Sequence, residues 1–165
     1  MSSLSRELKK MYYFAMSNDN SVTIYTDGGC TGNPGPGGWA CVLLTGGEEH
    51  HFSGGDESTT NNRMEMTAVI TSLKQVMEMG LPLKAQIYTD SQYVKNGLTQ
   101  WIHGWIRNGW KTAAKKPVKN KELWIEMKEL CDQFELTWHW VKGHSGDKYN
   151  ELCDTLVETE RMKFQ

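Results

Sequence analysis

Period-two alternation marks the first element of this chain. Val22, Ile24 and Thr26 alternate with Thr23, Tyr25 and Asp27, which predicts a strand with Asp27 on the face of Thr23 and Tyr25. Trp39 to Leu44 reads as a second strand, Gly46-Gly47 as a turn and Glu48 to Gly54 as a third strand, an antiparallel meander. The period then changes. Ser58-Thr59-Thr60 supplies N-cap candidates for a long helix that carries Met66, Val69, Ile70, Leu73 and Met77 on one face, with Glu65 beside that face in its early turns. Gly80 and Pro82 end it. Lys84 to Asp90 is a fourth strand, and the intervening helix lets it cross over to lie parallel to the first.

Ser91 to Asn96 predicts a short helix stopped at Gly97, and Thr99 to Arg107 another, broken by Asn108-Gly109. Asn120 is placed to cap an amphipathic helix with Leu123, Trp124, Met127, Leu130, Cys131 and Phe134 on its apolar side. Leu136 to Val141 alternates as a fifth strand. A glycine-containing loop with His144 leads to a last helix from about Lys148, on which Asn150, Glu151, Asp154 and Glu158 share a side. Residues 1–20 form an N-terminal extension with no clear place in the domain, which begins near Ser21 and runs to residue 165.

The chain is 165 residues with 38% hydrophobic residues and seven tryptophans, enough for one core. Its net charge of −2 is uninformative, but its distribution is not: Arg107, Lys111, Lys115, Lys116, Lys119 and Lys121 fall in one segment with no acidic residue. An acidic body with one basic arm fits a polyanion binder that also holds cations. The four cysteines show no zinc-type spacing, and no stretch reaches the about 20 apolar residues of a membrane span. Free thiols in a reducing cytoplasm, with no secretory signal and no membrane partner, are expected.

One tetrapeptide occurs twice, as Ile24-Tyr25-Thr26-Asp27 and Ile87-Tyr88-Thr89-Asp90, each time closing a strand. Two such strands in parallel aim their aspartates at one sheet edge, where open α/β sheets place ligands. Two carboxylates there suit a metal or a proton-transfer pair. Glu65 and Asp154 bring the acids to four, and this favours a divalent cation, because clustered carboxylates cannot all ionise without compensation. Mg²⁺ is the natural ion, as a hard cation that takes oxygen ligands and is completed by substrate phosphate, with Mn²⁺ as an alternative.

Other chemistries fit less well. The Gly28 to Gly38 run, whose glycines and prolines argue against regular structure, matches no phosphate-binding fingerprint and precedes a strand, so it reads as a hairpin connection. Gly143-His144-Ser145-Gly146-Asp147 lacks the last glycine of a nucleophile elbow. Cys153 reads as a small buried hydrophobe. His144, between a glycine and a serine in a loop, is a group able to move protons. Trp101, Trp105 and Trp110 read mainly as core, with the interleaved basic residues available to a phosphate backbone.

Together these pieces resemble bacterial-type ribonuclease HI. The resemblance is carried by Tyr25-Thr26-Asp27-Gly28, Asn33-Pro34-Gly35-Pro36-Gly37-Gly38, Thr60-Asn61-Asn62-Arg63-Met64-Glu65, Thr89-Asp90-Ser91-Gln92-Tyr93-Val94, Trp101-Ile102-His103 through Lys116-Pro117-Val118-Lys119-Asn120, Trp140-Val141-Lys142-Gly143-His144 and Asn150-Glu151-Leu152-Cys153-Asp154, in the family's order. It implies an α/β ribonuclease H-like fold with a mixed five-stranded sheet, three strands antiparallel and two further ones parallel. It also implies a monomer that cleaves the RNA strand of RNA–DNA hybrids with two metal ions, leaving 5′-phosphate and 3′-hydroxyl ends. Asp27, Glu65, Asp90 and Asp154 would bind metal, and His144 would be the mobile catalytic histidine.

By the same resemblance, backbone groups near Gly28 and Cys30 and the side chains of Glu65 and Gln92 would sense the RNA 2′-hydroxyl, while Asn33, Thr60 and Asn62 would contact the DNA strand. Residues 98–121 would form the basic protrusion, with Trp101, Trp105, Trp110, Lys111, Lys115, Lys116 and Lys119 on the substrate side. Ile106-Arg107-Asn108 holds one basic residue where the family often has a cluster, so hybrid affinity is expected to be weaker and less salt-dependent. The first twenty residues fall outside the resemblance.

Overall fold

The computed structural model describes residue 6, residues 20–142 and residues 147–164. The N-terminal extension over 1–20 thus lies, apart from Arg6 and Asn20, outside the described residues.

The alternating segments pair as expected. Strands β1 (Val22–Cys30), β2 (Gly35–Thr45) and β3 (Glu48–Thr59) form the antiparallel meander. Helix α1 (Asn61–Glu78) returns the chain to β4 (Lys84–Thr89), which lies parallel to β1, and β5 (Glu135–Trp140) lies parallel to β4. The sheet order is β3-β2-β1-β4-β5. The repeated tetrapeptides are in register, with Ile24 opposite Ile87 and Tyr25 opposite Tyr88. Their tyrosine rings stack at 4.6 Å, and His139 of β5 continues the stack at 4.3 Å from Tyr88.

Both glycine-rich flanks extend the strands further than the sequence suggests. Gly28, Gly29 and Cys30 pair with Trp39, Gly38 and Gly37, so the run after Asp27 is largely strand, and the connection shrinks to about the segment Thr31 to Pro34. Tertiary pairing overrides the low strand propensity of glycine here.

Helices cover both faces. Helix α1 packs on one face through Met66, Val69 and Leu73, joined by Trp124 and Met127 of α4 (Lys121–Cys131) against Ile24, Leu43 and Ile87. Met77, expected on the buried side of α1, is 37% exposed, and Val76 takes its place in the core. Helix α5 (Lys148–Met162) covers the other face through Cys153 and Val157, which meet Tyr25, Ala40 and Val42.

Between β4 and α4 the chain does not stop at Gly97. Helix α2 (Gln92–Asn96) runs through a π-helical turn, Gly97–Trp101, into α3 (Ile102–Arg107). Gly97 itself is helical, at φ −60° and ψ −51°. Its missing side chain serves packing: a Cβ there would sit 1.9 Å from the Trp124 ring. Asn120 precedes α4 in a left-handed conformation (φ 59°, ψ 29°) and makes no side-chain cap. Its amide is used elsewhere, accepting from Arg63 Nη1 at 3.1 Å and donating to the Tyr93 hydroxyl at 3.0 Å.

Candidate active site

The parallel pairing of β1 with β4 ends at Tyr25 and Tyr88, and Asp27 and Asp90 each follow two residues beyond it. Asp90 sits between the end of β4 and Ser91, whose hydroxyl caps α2 by accepting from Val94 N at 3.1 Å. Glu65 arrives from α1. That helix starts at Thr60, whose Oγ1 accepts from Arg63 N at 3.2 Å, and its first turns press on β1 at Gly28. A Cβ at Gly28 would lie 2.4 Å from both Glu65 N and the Met64 carbonyl carbon. Helix and strand backbones therefore touch, and Glu65 is held beside Asp27. Oxygen atoms of Asp27, Glu65 and Asp90 lie within 4.8 Å of one another.

Asp154, the fourth expected acid, is not within that set but lines the same cleft. Burial of the preceding Cys153 against Tyr25 and Val42 turns α5 so that Asn150, Glu151, Asp154 and Glu158 form the opposite wall. The cleft measures about 340 Å³ and also exposes Gly28, Gly29, Cys30, Asn61 and Arg161.

Crowding of like charges shows in the proton affinities. Burial, reinforced by the neighbouring Asp90 carboxylate, pushes Asp27 up to about 7, against a 2.9 Å hydrogen bond from Gly28 N that favours its ionised form. Glu65 is raised well above the usual carboxylate range, by burial first and then by Asp27 and Asp90. Its Oε2 is buried without a hydrogen-bond partner. An orphaned carboxylate oxygen facing two further acids fits a hard divalent cation, whose charge would satisfy that atom and draw the protons off. The donor set is all oxygen, as such an ion requires.

This predicts a pH-dependent stability. In the folded state Asp27 holds its proton more tightly than the ordinary value of 3.8 allows in the unfolded chain, so metal-free stability falls as pH rises from about 4 through about 7. A divalent cation stabilises the deprotonated site. Added Mg²⁺ should raise the thermal midpoint by several degrees at about pH 8 and by much less at about pH 5, where it must displace protons. Equal gains at both pH values, read by calorimetry with and without chelator, would exclude cation binding at these acids.

The expected substrate residues fall in two places. Asn33, Thr60 and Asn62 gather at the start of α1, where Asn33 Oδ1 accepts from Asn61 N at 3.2 Å and completes the cap begun by Thr60. The Cys30 thiol, half-buried, points at the carbonyls of Gly32 (2.9 Å) and Thr59 (3.2 Å). Gln92 is exposed on the first turn of α2, two residues after Asp90.

The second group is the arm between α3 and α4. Trp101, Trp105 and Trp110 form a chain of ring contacts that reaches the buried Trp124, so much of their surface is packing. Lys111, Lys115, Lys116 and Lys119 are all exposed on the loop closed by Thr112 N to Lys116 O (2.7 Å) and anchored by buried Val118. His144 lies outside the described residues.

Two arginines have roles that hydrophobic patterning does not reveal. Arg63 ties α1 to the arm by donating to Asn120 and to Glu122 Oε1 at 2.6 Å. Arg161 enters the acidic cleft from the end of α5.

An α/β sheet on which acids from two parallel strands and one helix converge defines a metal-ready cleft, and the basic arm is a separate feature of the same domain. The RNase H family model matches residues 19–161. The ribonuclease H of Hyphomonas neptunium is 56% identical over 142 residues, covering 86% of this chain and 93% of that protein. That of Chromohalobacter salexigens is 51% identical over 144 residues, covering 87% and 86%. Among solved structures, LC9-RNase H1, a type 1 RNase H with the type 2 active-site motif, superposes with a TM-score of 0.76 at 30% identity, covering 87% of this chain and 73% of that one. The chain belongs to the ribonuclease H family and is an enzyme of that family. Among the described residues no helix is long and apolar enough to cross a membrane.

Proposed function

We propose that this chain hydrolyses the RNA strand of RNA–DNA hybrids, acting as a cytoplasmic monomer with Mg²⁺ and leaving 5′-phosphate and 3′-hydroxyl ends. The observation that carries this reading is the convergence of Asp27, Glu65 and Asp90 within 4.8 Å, with Glu65 Oε2 buried and unpartnered. Asp27, Glu65, Asp90 and Asp154 are the groups that would hold a pair of divalent ions. Such ions, when bound, assist attack by water on the scissile phosphate and stabilise the departing 3′-oxygen.

The remaining work belongs to the chain. Gly28 and Cys30 line the cleft with the acids and Gln92 follows Asp90 by two residues, and these groups would sense a 2′-hydroxyl, which can both donate and accept. The capped turn of Asn33, Thr60 and Asn62 offers amides and a hydroxyl to the other strand. Lys111, Lys115, Lys116 and Lys119 supply positive charge to the duplex backbone at a distance from the cut. His144, outside the described residues, would assist proton transfer or product departure.

An end-labelled hybrid, an RNA duplex and a DNA duplex of one sequence, each incubated with Mg²⁺, Mn²⁺ or chelator, test the reading. Metal-dependent cuts confined to the RNA of the hybrid, with ends that a polymerase can extend at the 3′ side, are expected. Cleavage of the DNA duplex at a comparable rate, or none of any substrate, would overturn it.

A further inference from the structure

The cleft carries six carboxylates, from Asp27, Glu65, Asp90, Glu151, Asp154 and Glu158, and among its lining residues Arg161 is the one cation. A polyanionic strand must pass along this surface. Ions held by Asp27, Glu65 and Asp90 offset the repulsion at one end, but Glu158 lies away from that trio. Arg161 follows Asp154 by seven residues, two turns along the same face and about 10 Å further along the axis. It therefore stands where the strand leaves the metal-ready acids.

The guanidinium is held at both terminal nitrogens. Nη1 donates to Thr31 Oγ1 at 2.8 Å, and Nη2 donates to Glu158. The side chain is 25% exposed, whereas its Glu158 partner is 54% exposed and can turn to solvent when another anion takes its place. Nε is buried with no partner. A tie that merely joined the hairpin to α5 would need no face on the cleft, yet Arg161 lines it. A planar fork in a nucleic-acid cleft has a use there, since each terminal nitrogen keeps a second donor for phosphate oxygens.

We propose that Arg161 binds a backbone phosphate of the cleaved strand a few nucleotides from the scissile one, and so sets the strand's register over the acids. This rests on the hybrid-nuclease reading above. Thr31 acts as the positioning residue that orients the fork, and Glu158 as the anion that holds the site until substrate arrives.

Steady-state cleavage by wild type, Arg161→Gln and Arg161→Lys over a salt series tests this, together with hybrids carrying a single neutral methylphosphonate at successive RNA positions. For Arg161→Gln, KM should rise roughly tenfold, with kcat within about twofold. The slope of log affinity against log salt should fall by about 0.9. Arg161→Lys should keep that slope and recover part of the KM. One methylphosphonate position should weaken wild type and leave Arg161→Gln unaffected. A Gln variant with unchanged KM and slope, or with a lowered thermal midpoint and kcat but an unchanged slope, would overturn the assignment while wild-type cleavage left the hybrid-nuclease reading standing. No hybrid cleavage by wild type would overturn both.

Discussion

Asp27→Asn should lower hybrid cleavage by about a thousandfold or more, while binding of an uncut hybrid stays within about threefold of wild type. Asparagine keeps the size of the side chain and an oxygen that can accept from Gly28 N, now at 2.9 Å, so the local geometry is retained. It removes a charge from a site where Asp27, Glu65 and Asp90 meet, and with it a hard ligand that a divalent cation needs. The same substitution should raise the metal-free thermal midpoint at about pH 8, on the order of 5 °C, because Asp27 with its proton affinity raised to about 7 is destabilising when ionised. It should also flatten the fall in stability between about pH 4 and about pH 7. Single-turnover cleavage, a gel-shift assay and calorimetry check the three parts. Retained activity would remove Asp27 from the catalytic set, and a lowered midpoint would mean that Asp27 stabilises the fold instead of straining it.

The opposed effects on activity and stability follow from how the site is built. Burying Glu65 with an unpartnered oxygen beside two more carboxylates works against folding, and the cores on either side of the sheet must offset it. Asp27 is the better probe of the two. Glu65 belongs to the helix face that packs on β1, so its replacement disturbs packing as well as charge.

The repeated Ile-Tyr-Thr-Asp reports register directly, since two copies of one strand pattern, crossed over by a helix, align side by side with their aspartates at one edge. Period-two and helical patterns likewise place all five strands and the long helices. They mislead where a glycine answers to a distant partner. Gly28 to Cys30 looks like loop but pairs with β2, and Gly97 looks like a stop but admits the Trp124 ring. Asn120 looks like a cap, yet its amide bonds Arg63, 57 residues earlier, and Tyr93, 27 residues earlier. Local propensity contains none of these contacts. Asp27 and Asp90 stand out because they close two copies of one strand pattern, whereas Arg161 reads as one more charge near the end of an amphipathic helix.

Of the two glycines that line the cleft, Gly28 is the one at which alanine should do the more damage. The added methyl would meet the backbone at Glu65 N and the Met64 carbonyl carbon, each at 2.4 Å, and backbone cannot swing aside as a side-chain end can. Relief requires α1 to retreat from β1, which withdraws Glu65 from Asp27 and opens the core beneath Met64 and Met66. We expect a destabilisation of about 3 kcal/mol, or a midpoint lower by about 6 to 12 °C. Cleavage should fall by at least about a hundredfold, as a displacement of roughly 1 Å at a catalytic group produces. Stabilisation by Mg²⁺ at about pH 8 should weaken too, since the acids no longer converge. Gly29→Ala is the matched control. Its Cβ would approach Val157 Cγ1 at 3.3 Å, the end of a side chain on α5, so its midpoint should shift by less than about 3 °C. If both variants melt like wild type, then α1 is not pressed on β1 at Gly28, and the position of Glu65 has another cause.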